Sequence, residues 1–374
     1  MNASDPQPTG LLRLTEAVEP YPAEPSDEQL ALEIGIPLER LVRFDMNTLG
    51  GGPLPAVVEA LAAYDPAGIV EYGDQGYRRL RGAIEAATGT PSHRIIPGAG
   101  ADELIRLVTT MTVGPGDTVV IPTPTFAMFA VEARLAGARV VEVRRREPGE
   151  RQPAEEIRAA AEATGARLVW LCSPNNPTGD IYDHEEIGQL IDGLPALVVF
   201  DCVYQEMAEV EAGMPPEGLS VLPIQERHPN LLILRSLAKA YGLAGARVGY
   251  LVVPDALAAR FEAARLPLSI GGPSEAAAIG ALSDLGTARR RLAEIVNERD
   301  RLSEAFDRMG WRVLPSHANF LLVRPPDAAA TSARLLAHGL VVRGYSSGPL
   351  LDWLRITVRA PLENNRLLQA LGAG

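Results

Sequence analysis

Between residues 94 and 235 the chain alternates between two kinds of segment, and this alternation restricts the fold more than any other feature. Short apolar or β-branched runs occur at Arg94–Pro97, Thr118–Ile121, Arg139–Val143, Leu168–Cys172, Leu197–Asp201 and Leu231–Arg235. Between them, apolar residues recur at helical spacing over Ala101–Met111, Phe126–Ala136, Pro153–Thr164 and His184–Ile191. A strand that is apolar along its whole length must be covered on both faces, and helices of roughly ten residues between strands supply that cover. The expected fold class is therefore α/β, with a large domain built on a mainly parallel, doubly wound sheet.

The flanking segments follow other patterns. Upstream, Ser26–Ile34 reads as a helix capped by Ser26 and ended near Gly35, and Pro53–Tyr64 and Arg78–Thr88 read as two more helices. Near Pro267–Pro273 the alternation stops, and one long helical pattern runs from Ser274 to Met309 before Gly310. Strand patterns at Trp311–Leu314, Asn319–Val323, Leu340–Arg343 and Leu354–Val358 then mix with helices over Ala328–His338 and Leu362–Leu371. That order predicts a smaller α+β domain. Residues 1–45 are expected to form an N-terminal arm and part of the small domain, 46–272 the large domain, and 273–374 the small C-terminal domain.

Composition narrows the partners. Lys+Arg 35 against Asp+Glu 47 gives a net charge of −12, which disfavours nucleic acid and anionic membrane, since both are gripped by clustered cations. No apolar run approaches the ~20 residues of a membrane helix, and the start MNASDPQPTG lacks the basic and apolar regions of a signal peptide. Two cysteines, Cys172 and Cys202, are too few for a disulfide framework, and the histidines form no HExxH or Cys/His cluster. The expectation is a cytoplasmic protein that holds no metal and acts on small molecules.

In open α/β sheets ligands bind beyond the carboxyl ends of the strands. Pro97-Gly98-Ala99-Gly100-Ala101-Asp102-Glu103 leads from the first strand into a helix N-terminus, whose free N–H groups favour an anion. Ser173-Pro174-Asn175-Asn176-Pro177-Thr178-Gly179 is a rigid polar turn, Asp201 ends its strand with Tyr204 close behind, and Ser236, Lys239 and Arg247 follow the Leu231–Arg235 run. Taken singly, each has a bland reading: a glycine turn is commonplace, a strand-end aspartate often caps a helix, and a lone lysine is normally solvated. Together, at the ends of one sheet, they supply an anion cradle, an amide, a carboxylate, a phenol and an amine.

In that order and spacing the segments resemble the fold-type I pyridoxal-phosphate aminotransferases, and within them the histidinol-phosphate aminotransferase group; the resemblance runs over nearly the whole chain and includes Leu354-Arg355-Ile356-Thr357-Val358. It implies pyridoxal 5'-phosphate as cofactor and Lys239 as the Schiff-base lysine, an amine that becomes neutral, attacks an aldehyde and later carries a proton. Asp201 is implied to face the pyridine nitrogen, and Asn176 and Tyr204 the ring's phenolic oxygen. Phe126 would stack on the ring. The cofactor phosphate would rest on Gly100, Ala101 and Asp102 with Ser236 and Arg247, and Tyr72 would reach it from a second subunit. A homodimer with shared active sites follows from that last contact.

On the substrate side the resemblance points to Arg355 and Arg343 for the anionic group, to Tyr21 in the arm, and to Asn47. A guanidinium suits a carboxylate and a phosphate equally. The chain also departs from the group. Asp45-Met46-Asn47-Thr48-Leu49-Gly50 keeps one side chain, Asn47, of the usual Asn-x-Asn-Glu-Asn-Pro; Ala238 replaces a common hydroxyl residue; Asp201-Cys202-Val203-Tyr204 replaces Asp-Glu-Ala-Tyr; and Arg359 stands where a glycine usually follows. The implied activity is transfer of an amino group between an amino acid donor and a 2-oxo acid or phosphorylated ketone. The alternatives on the same scaffold are decarboxylation of an amino-acid phosphate and oxygen-dependent oxidation of an amino acid.

Overall fold

The structure is a computed structural model, and it describes residues 25–214 and 221–372. The seven strands of the large sheet are β2 (Ile95–Gly98), β3 (Thr118–Thr123), β4 (Arg139–Arg144), β5 (Leu168–Cys172), β6 (Leu197–Asp201), β7 (Leu231–Ser236) and β8 (Gly249–Val252); β1 (Val42–Phe44) lies elsewhere. Their order across the sheet is β2-β8-β7-β6-β5-β3-β4. The pairs from β7 to β4 are parallel, whereas β8 runs antiparallel to both β2 and β7. The expected doubly wound α/β sheet is present, with β8 as an addition that the alternation did not announce. Residues 249–252 enter the sheet directly after the Ser236–Arg247 loop, with no crossover helix before them.

Both faces of the sheet are covered. Along β5, Val169 and Leu171 belong to one buried cluster with Phe200 and Ile233, while Leu168 and Trp170 belong to a second with Val199 and Leu234. This is the period-two alternation of a strand buried on both sides, which explains why its sequence is continuously apolar. Phe129, from the helix Met128–Leu135, stacks on Trp170 with ring centroids 4.5 Å apart. Three helices outside the expected pattern, Gln205–Glu211, Leu222–Arg227 and Asp255–Ala264, occupy connections that the sequence reading left unassigned.

The expected single helix from Ser274 to Met309 is two, Gly272–Ser283 and Leu285–Arg308. Asp284 separates them and caps the second, its side chain accepting from Thr287 N at 2.9 Å. Apolar periodicity continues on both sides of the break, so hydrophobic spacing hid it and only the capping chemistry of Asp284 marks it. Buried residues Ala277, Ala278 and Ala281 of the first helix pack in the large sheet's core, as do Ala288 and Leu292 of the second. From Ile295 onward the second helix faces a separate core with Phe44, Trp311, Leu321 and Leu340. Apolar packing thus changes over inside the helix Leu285–Arg308, downstream of the break that the pattern suggested at residue 273.

That second core is held by β9 (Arg312–Val313), β10 (Phe320–Arg324), β11 (Leu340–Val342) and β12 (Leu354–Thr357). β12, β10 and β9 form an antiparallel sheet, and β11 pairs in parallel with β1. An antiparallel bridge between Arg343 and Arg355 joins the two small sheets. Among the described residues no helix is long and apolar enough to cross a membrane.

Gly280 sets the approach of the helix Gly272–Ser283 to the helix Pro55–Ala62. A Cβ there would lie 2.6 Å from Ala56 O and 2.7 Å from Ala60 Cβ. Gly280→Leu is expected to lower stability by about 1–3 kcal/mol, the cost of overpacking a close contact, read as a fall in the urea midpoint at unchanged slope.

Candidate active site

The large sheet's carboxyl edge is organised by register. Cys172, Asp201 and Leu234 lie side by side across β5, β6 and β7. Residues shortly beyond those strands therefore meet at one level, and they enclose a cavity of about 280 Å³. Asn176, Asp201, Tyr204, Ser236 and Lys239 line it from the strand ends, and Phe126 lines it from the loop after β3. Ala101, Asp102 and Arg247 complete the end nearest β2.

At that end the helix Gly100–Thr112 presents the unpaired N–H groups of its first turn. Gly100 has φ +84°, and a Cβ there would sit 2.8 Å from Arg247 Nη2, so glycine is what lets the guanidinium lie against the helix start. Arg247 donates to Asp102 Oδ2 at 2.8 Å. Ser236 is buried, and its Oγ accepts from Ala238 N at 3.2 Å. Helix N–H groups, a hydroxyl and a guanidinium converging in this way form an anion site.

Lys239 stands in the middle. Its Nζ donates to Met46 O at 3.1 Å. Burial, and then the positive charges of Arg355 and Arg247, lower its pKa from 10.5 to about 8, with Asp102 opposing. It is also the single lysine of the chain, every other member of Lys+Arg 35 being arginine. That count was available from the sequence and is a stronger signal for Lys239 than the local motif alone.

Asp201 is buried at 4% exposure and takes part in no ion pair among the described residues. Its Oδ1 accepts from Val203 N at 3.1 Å, and the Cys172 thiol lies 3.7 Å from Oδ2. Burial pushes its pKa up to about 7. An acid so placed gains most from a cationic N–H within the cavity. Tyr204 is buried as well, its hydroxyl accepting from Asn47 Nδ2 at 2.9 Å, and burial holds its pKa above the usual phenol range.

The opposite wall comes from the smaller core. Arg355 and Arg343 both line the cavity and exchange backbone hydrogen bonds at 3.1 and 2.8 Å. Arg355 donates to Asn176 Oδ1 at 2.6 Å and to Asp45 O. Asn47 adopts φ 52°, which an asparagine tolerates better than most residues, and is fastened by Thr357 Oγ1 at 3.0 Å and Asn319 Nδ2 at 3.1 Å. The carbonyls of Asp45 and Met46, which no side-chain motif marks, thus receive two of the site's cationic groups, Arg355 and Lys239. Two departures noted in the sequence also meet here: Arg359 donates to Thr48 Oγ1 at 3.0 Å and Arg43 O at 3.1 Å. Of the remaining expected residues, Tyr72 is 90% exposed and outside the cavity, and Tyr21 lies outside the described residues.

With its lowered pKa, Lys239 has far more neutral amine at pH 8 than an ordinary lysine, whose pKa is ≈ 10.4. Acetic anhydride is expected to modify one side-chain amine, at Lys239, with a rate that rises through pH 8; peptide mapping separates it from the chain's α-amino group. A midpoint above pH 10 would show that the cavity does not depress this amine.

Known proteins resemble this chain over nearly its whole length. The family model for aminotransferase class I and II matches residues 39–373. A histidinol-phosphate aminotransferase from Roseiflexus castenholzii is 38% identical over 97% of this chain and 98% of its own, and one from Symbiobacterium thermophilum is 36% identical over 95% and 96%. The crystal structure of a histidinol-phosphate aminotransferase from Sinorhizobium meliloti, in complex with pyridoxal-5'-phosphate, superposes with a TM-score of 0.82 at 28% identity, covering 94% of each chain. With a family model matched over residues 39–373 and relatives more than 30% identical over almost their whole length, the chain belongs to the aminotransferase class I and II family.

Proposed function

We propose that the chain is a pyridoxal-phosphate-dependent aminotransferase of the histidinol-phosphate type, moving an amino group between an amino acid donor and a phosphorylated ketone or 2-oxo acid. The observation that carries the reading is a cavity lined by the chain's one lysine amine, a buried carboxyl and the three arginines Arg247, Arg343 and Arg355. The residues fit the cofactor. Gly100 leaves room for Arg247, which with Ser236 and the N–H groups of Ala101 and Asp102 would hold the phosphate. Asp201, without a cationic partner, would hold the pyridine nitrogen protonated, and Asn176 and Tyr204 would bond the ring oxygen. Phe126 would cover one ring face. When bound, pyridoxal phosphate supplies an aldehyde that condenses with amines and a ring that withdraws electrons from the substrate's α-carbon.

The protein's own part is positional and acid–base. Lys239 Nζ is drawn toward neutrality by burial and then by the charges of Arg355 and Arg247, which equips it to take a proton from one carbon and return it to another. Arg355 and Arg343 would bind the substrate's anionic group and orient the bond to be broken. The small-domain wall would close the cavity against water. The same reading makes the protein a cytoplasmic homodimer in which Tyr72, exposed within one protomer, reaches the phosphate of its partner's cofactor, and Tyr21 of the arm reaches the partner's substrate. The exposure of Tyr72 together with nearby Ile69 and Val70 supports an interface there.

Two outcomes test this. Histidinol phosphate is expected to convert the bound aldehyde form to the amine form, seen as loss of its visible absorbance, and 2-oxoglutarate to restore it. Release of carbon dioxide or peroxide in its place would favour the other reactions of the scaffold. Lys239→Ala is expected to lower kcat by at least about 10³-fold, the upper range for loss of a group that serves both as nucleophile and as acid–base catalyst, while sedimentation still gives a dimer.

A further inference from the structure

Tyr345 carries a hydroxyl that is buried and has no hydrogen-bond partner among the described residues. It follows Arg343 by two residues, next to the bridge that ties Arg343 to Arg355. Its ring packs against a small cluster of Leu314, Leu322, Leu350 and Trp353, and the residue lines the active-site cavity alongside both arginines. A second donor in the same cavity wall is also orphaned: Arg355 Nε is buried and unpaired, although Nη1 and Nη2 are engaged by Asn176 and Asp45.

Buried donors without partners are uncommon and costly. These two belong to residues that line one cavity, and among the described residues the protein provides no acceptor for either. Burial raises the Tyr345 pKa, with the charges of Arg355 and Arg343 opposing the rise, so the phenol keeps its hydrogen at neutral pH and both guanidinium groups act on the same oxygen.

We propose that Tyr345 is a specificity-determining residue that donates its phenolic hydrogen to the substrate's anionic group and favours a phosphate monoester over a carboxylate. The inference rests on the reading of this cavity as an aminotransferase site for phosphorylated substrates. A carboxylate has two coplanar oxygens, which one guanidinium fork already satisfies. A phosphate monoester has three terminal oxygens arranged tetrahedrally, and two arginines plus a phenol supply donors on separate sides. The third donor is also neutral. It adds a hydrogen bond without adding positive charge beside Lys239, whose pKa is already lowered by burial and by Arg355 and Arg247.

Tyr345→Phe removes the oxygen and keeps the ring that packs against the Leu314, Leu322, Leu350 and Trp353 cluster. In the holoenzyme, KM for histidinol phosphate is expected to rise about tenfold, the usual cost of one hydrogen bond to a charged group. Neither kcat, KM for 2-oxoglutarate, cofactor absorbance nor the thermal midpoint should change. An unchanged KM for histidinol phosphate, or an equal rise for both substrates, would overturn the proposal. Inhibition of the holoenzyme by inorganic phosphate separates this proposal from the reading beneath it. If the wild type turns over other amino donors but not histidinol phosphate, the substrate reading fails; a tenfold weaker inhibition by phosphate in the variant still supports the role of Tyr345, and equal inhibition overturns it.

Discussion

The register of three central strands is the constraint on which the rest of the site depends. Parallel pairing places Cys172, Asp201 and Leu234 abreast, and each chain segment leaves the sheet within a few residues of that line. A slip of one residue in β6 would turn Asp201 to the other face and carry Tyr204 with it. Register is in turn fixed by the two buried faces, since Val169 and Leu171 belong to one core and Leu168 and Trp170 to the other. The chemistry is therefore positioned by apolar packing some distance from it, and the polar residues contribute little to holding the frame in place.

Within that frame the site is crowded with like charge. Lys239, Arg247, Arg343 and Arg355 line one cavity in a chain whose net charge is −12. The repulsion is relieved in three ways: Asp102 pairs with Arg247, the carbonyls of Asp45 and Met46 accept from Arg355 and Lys239, and the amine itself moves toward neutrality. An overall acidic surface and a locally basic cavity are compatible because the field inside the cavity is set by the few charges that line it, while charges farther away than a Debye length are screened.

Much of this was legible in the sequence where chemistry and pattern coincide. The strand runs were visible because burial on both faces makes them uniformly apolar, and Asn176, Asp201, Tyr204, Ser236, Lys239 and Arg247 stood out because a turn or strand end preceded each. The misses have physical reasons. β8 adds to the sheet antiparallel without a helix to announce it, and Asp284 breaks a helix whose apolar spacing continues across the break. Tyr345 sits in a loop with no periodicity, and its importance lies in a missing partner, which only three-dimensional placement reveals. The segment Asp45–Gly50 looked like a loss of polar side chains; in the fold its carbonyls at Asp45 and Met46 accept from Arg355 and Lys239, and Arg359 donates to Thr48 Oγ1.

The lone lysine has a consequence for the molecule as a whole. Arginine keeps its proton at any pH a protein survives, so above the histidine range the side-chain cations outside the cavity form a constant background. The chain's surface field is then nearly fixed across mildly alkaline solution, and the one basic side chain that changes state there is Lys239 in the cavity. Above the histidine range, the cationic titration of the protein comes down to this one active-site side chain and the chain's α-amino group.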